Sequence, residues 1–284
     1  MSSWLYQAPA ELSDEQYAQW QTLLEERTGI CLLQHKSILH KGLSLRMREL
    51  GVKDYEQYLQ QVSAVPGGLI EWGQFVDRVS VKETSFFREI NSFNTVRDFL
   101  LQRIEALTKA DKKTVDLWSV GCSTGEEAYS LAMVANEAID YLLADIFVGV
   151  TASDISTTAL RAARKACYAK RKLDNLPLAL KNKYFVKTDQ HEYQVTERLR
   201  QNLCFIQSNV LELSKLPNMA MDVIYCQNLL VYFRRGRQWQ VLNALVNYLK
   251  PGGLLVIGPG EVVGWQNSQM QRNGGEKVLA FIKQ

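Results

Sequence analysis

The stretch Leu117-Trp118-Ser119-Val120-Gly121-Cys122-Ser123-Thr124-Gly125-Glu126-Glu127 constrains this chain more than any other. An apolar strand runs into two glycines and then into an Ala/Leu/Met-rich helical stretch, the strand-turn-helix of a nucleotide pocket. Gly121 and Gly125 admit backbone angles closed to other residues and leave no side chain in the way of a flat ligand. The spacing is GxxxG rather than GxGxxG, and the lysine of a GxxxxGK[ST] loop is missing. The carboxylates of Glu126 and Glu127 would repel phosphate at the helix start and suit a ligand that carries an amine. S-adenosylmethionine (AdoMet) has an adenosine, an α-amino group and no phosphate, so the turn reads as its site. The alternative is a tight turn whose glycines serve packing alone.

From Thr114 onward strands and helices alternate: Thr114–Val120, a helix from Glu127 to about Asp140, Ile146–Ala152, and a helix from Ser156 to about Ala169. That order predicts a parallel sheet with helices on both sides. Asp154 follows the second strand and can accept both hydroxyls of a ribose, or else cap the next helix. The alternation stalls over 173–203, where short polar-apolar segments predict a small antiparallel insertion. The sheet resumes with Cys204–Gln207, Met221–Cys226 and Leu254–Ile257, and the segment ending at Ile282 closes it. Lys250-Pro251-Gly252-Gly253 reads as a helix stop and turn.

Residues 1–78 read as all-helical. Ser13 caps a helix that ends at Thr28-Gly29, Gly51 and Pro66-Gly67-Gly68 separate further short helices, and 79–95 form a connection to a 96–284 domain. Leu39, Leu43, Met47 and Leu50 share one helical face, with Lys41 and Arg48 opposite and Lys36 and Arg46 alongside. No acid occurs from Thr28 to Arg48, which marks this face as a docking candidate for an acidic partner. A net charge of +3 gives no ground for a nucleic-acid partner. Five cysteines without a CxxC spacing argue against a disulfide framework and a zinc site, so no metal is expected. No apolar stretch is long enough for a membrane span and no leader precedes the first helix, so a cytoplasmic protein is the expectation.

Taken together, the helical N-terminal region, Thr84-Ser85-Phe86-Phe87-Arg88-Glu89, the glycine turn, Ala152-Ser153-Asp154-Ile155, the insertion and Asn228…Val231-Tyr232-Phe233 resemble the CheR family of chemotaxis protein-glutamate O-methyltransferases. The resemblance implies a Rossmann-like AdoMet-dependent methyltransferase sheet with a small antiparallel β insertion, preceded by an all-helical domain. It also implies methyl transfer from AdoMet to glutamate carboxylates of chemoreceptors, with S-adenosylhomocysteine as product. Carried over residue by residue, it places Thr84 and Arg88 at the cofactor and substrate mouth, Glu127 at the methionyl amine and Asp154 at the ribose. Asn209 and Val210 would meet the adenine, Gln227 and Asn228 would line the cofactor, and Tyr232 would stand beside the transferred methyl. Two positions depart from the pattern: Lys82 stands where the family has Asn, and Gln227 where it has Arg. Lys82 is then a substitute for the missing cation.

The helical domain, through Lys36, Lys41, Arg46 and Arg48, is the implied dock for the receptor bundle. Some members also tether to a receptor C-terminal peptide through a glycine-rich loop of the insertion. Here the link Val186-Lys187-Thr188-Asp189-Gln190-His191-Glu192 is shorter and lacks glycine, which predicts no tether. Two competing readings stay open: a methyltransferase acting on another substrate, and a regulatory module that binds AdoMet without turnover, with Gln227 in its favour. An amino-methylating DNA enzyme is disfavoured because Gln227-Asn228-Leu229-Leu230 holds no Pro-Pro-Tyr run.

Overall fold

A computed structural model describes residues 12–33, 35–64, 66–110, 113–189, 191–275 and 277–284. The chain forms two compact units that meet between Val81 and Lys82. The first holds α1 (Asp14–Thr28), α2 (Lys36–Leu50), α3 (Tyr55–Ser63) and α4 (Gly68–Val79). Ser13 and Gln16 exchange side-chain to backbone hydrogen bonds at the start of α1, both 3.1 Å, and Gly29 ends it in the left-handed region at φ 78°. Trp20 stacks on Tyr58 at 5.1 Å and touches Phe75, with Leu24, Leu39, Leu43 and Met47 fully buried around them. Of the periodic apolar stripe, Leu39, Leu43 and Met47 enter the core of the unit, while Leu50 at the helix end is exposed.

The basic run does not survive folding as one face. Arg46 turns inward: its Nε and Nη2 donate to Glu71 at 2.7 Å each, and Nη1 donates to Glu49 at 2.6 Å. The buried Tyr58 hydroxyl donates to the same Glu71 carboxylate at 2.7 Å. Arg46 is therefore a structural cation, not a docking one, because Glu71 lies 25 residues away in sequence and only the packing of α2 on α4 reveals the pair. Lys36 pairs with Asp14 at 3.2 Å on the open surface, a contact of small energetic weight. Lys41 and Arg48 remain exposed.

The second unit runs α5 (Ile90–Lys109), β1 (Thr114–Val120), α6 (Glu126–Leu142), β2 (Phe147–Asp154), α7 (Thr157–Lys165), β3 (Cys167–Ala169), α8 (Leu178–Tyr184), β4 (Phe185–Lys187) and β5 (Glu192–Val195). It continues through α9 (Glu197–Arg200), β6 (Leu203–Gln207), β7 (Met221–Cys226), α10 (Arg235–Val246), β8 (Leu249–Ile257), β9 (Met270–Arg272) and β10 (Leu279–Lys283). The main sheet has the order β6-β2-β1-β7-β8-β10-β9, parallel from β6 to β8 and antiparallel beyond. Strands alternate between two cores: Val115 and Leu117 enter one, Trp118 and Val120 the other, as do Val223 and Tyr225 against Ile224 and Cys226. Both faces are covered, which explains why these strands read as continuous apolar runs.

Four readings from sequence change here. The helix after Asp154 stops at Lys165, with Ala166 in the left-handed region, and Cys167–Ala169 is the first strand of the small antiparallel sheet, ordered β3-β5-β4. The insertion therefore begins before residue 173. Lys250-Pro251-Gly252-Gly253 lies inside β8 as a bulge between the pairs Met221↔Leu249 and Val223↔Leu254. Residues 90–95 are the first turns of the long helix α5 rather than part of the connection. The β4–β5 link does hold a left-handed residue, His191 at φ 59°, and Thr188 N donates to Glu192 O at 2.8 Å; Gln190 lies outside the described residues.

No helix among the described residues is long and apolar enough to cross a membrane.

Candidate functional site

Strand order reverses between β1 and β7, and in open α/β sheets the crevice at the carboxyl ends of such strands is the place that takes ligands. The turn after β1 is tied to β2: Gly121 N and Cys122 N donate to Ser153 O at 2.8 and 2.9 Å, and Ser123 N donates to Asp154 Oδ2 at 2.8 Å. Asp154 Oδ1 accepts Ser156 N at 2.8 Å, while Ser156 itself caps α7. Asp154 thus holds two turns together and keeps part of its surface open at the crevice.

Gly121 and Gly125 sit at φ 80° and 96°, as their positions demand. Their missing side chains leave room for neighbouring protein atoms. A Cβ on Gly125 would come within 2.9 Å of the Ala163 Cβ and 3.0 Å of the Tyr168 hydroxyl, and one on Gly121 would press on Leu229 at 3.3 Å. The glycines serve packing and backbone conformation.

The paired glutamates separate in role. Glu126 is fully buried and spent: its Oε2 accepts Thr124 Oγ1 at 2.6 Å, and Lys172 Nζ stands 2.9 Å from Oε1 while also donating to Thr84 O. Glu127 accepts Ser119 Oγ at 2.6 Å and is partly open to the crevice. Among the described residues no cation lies within ion-pairing distance of it. Burial pushes its carboxyl up from 4.5 to about 8, the negative charges of Glu261 and Asp154 add to the rise, and the Ser119 hydroxyl and Arg88 oppose it.

A second raised carboxyl, unforeseen from sequence, follows β8. Glu261 is buried, and its carboxylate accepts the backbone N–H of Asn228 and, at 3.1 Å, of Leu230. Burial lifts it from 4.5 to about 7 against those donors and Arg88. Its signal was available: Gly258-Pro259-Gly260-Glu261 is a second acid beyond a strand and glycines. Both acids carry the same sign: below the ordinary carboxyl range they cost the fold nothing. Stability is lost as pH rises from about 4.5, where the unfolded chain ionises, and the loss is complete above about 7 to 8, where the folded protein must also hold them ionised. A bound cation reverses that cost.

The connection is anchored by its aromatics. Phe86 is buried edge-on against Tyr168 and Phe185 at 5.0 and 5.4 Å, and Phe87 packs on Phe93 at 5.1 Å. Arg88 is exposed, with Nη1 donating to Glu83 O at 3.2 Å, and the rises of Glu127, Glu261 and Tyr232 are all tempered by its charge. Thr84, Asn209, Val210, Asn228 and Tyr232 are each partly buried around the strand ends, Asn209 accepting Leu211 N at 3.0 Å.

Gln227 and Lys82 stand apart from these. Gln227 faces the core: Nε2 donates to Ser92 Oγ at 2.8 Å and Ile257 O at 3.2 Å, and Oε1 accepts the Tyr225 hydroxyl at 2.7 Å. Its side-chain amide is satisfied within the protein. Lys82 Nζ donates to Thr158 Oγ1 at 2.6 Å.

The donor set fits AdoMet. A partly open carboxyl without a cationic partner suits an ammonium, and the Ser123 hydroxyl on the same turn is a buried polar atom with no partner of its own. Calorimetry at pH 7 in buffers of different ionisation enthalpy should accordingly detect release of about one proton per AdoMet bound, because a neutral Glu127 must ionise to meet the amine. Affinity should rise with pH toward 8, and Glu127→Gln should abolish the proton release. Binding without proton release would show that the amine lies elsewhere. Among the described residues no cluster of His, Cys, Asp and Glu is arranged to hold a metal ion.

Residues 82–279 match the CheR methyltransferase SAM-binding domain and residues 15–80 the CheR methyltransferase all-alpha domain. The chain is similar to the chemotaxis protein methyltransferase of Escherichia coli, 33% identical over 256 residues, covering 88% of this chain and 85% of that one. Chemotaxis protein methyltransferase 2 of Pseudomonas aeruginosa is 32% identical over 251 residues, covering 87% and 86%. The chemotaxis protein methyltransferase of Borreliella burgdorferi is 30% identical over 238 residues, covering 83% of each chain.

Proposed function

The chain belongs to the CheR methyltransferase family, and on that premise we propose that it transfers the methyl group of AdoMet to glutamate side-chain carboxylates of chemoreceptors. The observation that carries the reading is the pair of strand-end carboxyls, Glu127 and Asp154, set for a cation and a diol at one crevice, with the exposed Arg88 near their mouth.

When bound, AdoMet supplies an electrophilic methyl group on a sulfonium that needs no activation by the protein. A substrate glutamate titrates near pH ~4.3 and is already ionised at neutral pH, so no residue has to remove a proton. Arg88 orients that carboxylate or the cofactor's own, as a planar donor that positions without deprotonating. Glu127 holds the amine, Asp154 the ribose, Asn209 and Val210 adjoin the adenine, and Tyr232 with Thr84 narrows the approach. The protein's contribution is proximity and partial removal of water. The regulatory-module alternative rests on Gln227, whose side-chain amide is bonded to Ser92.

Receptor cytoplasmic fragments incubated with methyl-labelled AdoMet should acquire base-labile label at glutamates. Cofactor binding with no label on any fragment would favour the regulatory module, and label on another substrate a different methyltransferase.

The receptor would approach the helical unit through Lys41 and Arg48, with Lys36 beside them, and no peptide tether is invoked because the β4–β5 link is short and lacks glycine. Lys41→Glu with Arg48→Glu should raise KM for receptor and flatten its salt dependence without changing cofactor affinity. Arg46→Ala should instead lower the melting temperature, since it strands the Glu71 carboxylate. Unmoved KM and salt dependence in the double variant would remove the face from the reading.

A further inference from the structure

We propose that Glu261 is a positioning residue, which pins the Asn228–Tyr232 segment at the end of β7 through its backbone amides and so sets where Tyr232 stands. Glu261 receives no role from the strand-end pattern that marks Glu127 and Asp154, yet it is the group on which that segment hangs. Its two carboxylate oxygens are divided between two donors: Oε1 takes Asn228 N, and Oε2 takes Leu230 N at 3.1 Å. Asn228 has φ 56°, a left-handed conformation that asparagine tolerates better than other non-glycine residues.

The same segment is held a second time from α10. Gln238 Nε2 donates to Leu230 O at 2.8 Å and to Glu261 O at 3.1 Å, so one amide grips both the segment and the residue that pins it. Leu230 is fully buried, and the short turn closes with Tyr232 N on Leu229 O at 3.2 Å and Phe233 N on Leu230 O at 3.0 Å. Tyr232 is thereby one turn away from a fixed point. Space for the carboxyl comes from Gly258, where an added Cβ would overlap the Glu261 side chain. Burying a carboxyl beside other acids is costly, and backbone donors at both oxygens are the compensation seen here.

The charges that face it come from every element around it: Arg88 from the connection, Glu127 from α6, Tyr225 and Cys226 from β7, and Tyr232 itself. Of these only Arg88 favours its ionised form, and burial raises its carboxyl to about 7. Below that range the carboxyl gains a proton and keeps acceptor capacity for the backbone N–H groups.

The test uses the full chain and compares wild type with Glu261→Gln and Gly258→Ala. The rate readout rests on the methyl-transfer reading; the exchange readout does not. In Glu261→Gln the amide has one acceptor oxygen for two N–H groups. Hydrogen exchange at the Asn228 and Leu230 amides should speed up by about tenfold or more while the amides of β1 and β7 keep their protection. The kcat should fall by about tenfold to a hundredfold with KM and AdoMet affinity little changed, the size of a sub-ångström to 1 Å misplacement. Gly258→Ala should reproduce the loss with the carboxyl intact, and the double variant should be no worse than the worse single one.

Wild-type exchange at Asn228 and Leu230 in Glu261→Gln overturns the proposal, and so does a loss of protection spread evenly over the unit. Should the wild type methylate no receptor fragment, the exchange result still decides the role of Glu261.

Discussion

Asp154→Ala is expected to weaken AdoMet binding by about a hundredfold. The carboxylate accepts Ser123 N and Ser156 N at 2.8 Å each, so its removal strands two backbone donors in addition to the ribose it is proposed to hold. A hydrogen bond to a charged acceptor is worth roughly 1.5–3 kcal/mol, and one such loss alone gives one to two orders of magnitude in the dissociation constant. The turn contribution should also appear as a lower melting temperature. Ligand lacking the 2′-hydroxyl separates the two: it should bind the wild type more weakly than S-adenosylhomocysteine does, and the variant equally. If calorimetry finds the variant's affinity unchanged, the ribose is held by another group.

Arg88→Ala is expected to reduce kcat/KM by about a hundredfold with near-normal melting. Among the described residues no carboxylate stands within ion-pairing distance of this guanidinium, although Glu127 and Glu261 both feel its charge. Its packing value is small, because the side chain is exposed and its one bond is to Glu83 O. Leaving a buried carboxylate without its cation costs roughly 3–5 kcal/mol, and the exposure of Arg88 places this site at the low end of that range. Arg88→Lys should recover part of the rate but not the orientation that a planar fork provides. Near-normal methyl transfer by Arg88→Ala would take this residue out of the mechanism.

How much of the site was readable can be judged residue by residue. Glu127 and Asp154 were visible because each follows a strand end marked by local signals. Glu126, one position earlier, looked equivalent until Lys172, from the link between the helix and the insertion as read from sequence, proved to occupy it. The glycine turn was legible as a turn, but the purpose of its glycines was not. Gly125 lacks a side chain because Ala163 and Tyr168 approach it, and both are brought there by the fold. The long helix α5 escaped notice beside the aromatics of the connection, and the bulge in β8 was taken for a turn because Pro251-Gly252-Gly253 carries the signals of both.

By itself the sequence determined what depends on neighbours a few positions apart. The Ser13 cap, the stop at Gly29, the strand-glycine-helix unit and the alternation that predicts a sheet covered on both faces are set by local geometry and periodicity. Tertiary structure alone decided which polar groups are spent on the protein and which remain for a ligand. Arg46 is claimed by Glu71 25 residues away, Asn228 by Glu261 33 away, and Gln227 by Ser92 135 away. A buried polar group must find a partner, and in these cases the partner lies on another element. The sequence names the groups, but only chain packing brings such partners within hydrogen-bonding distance.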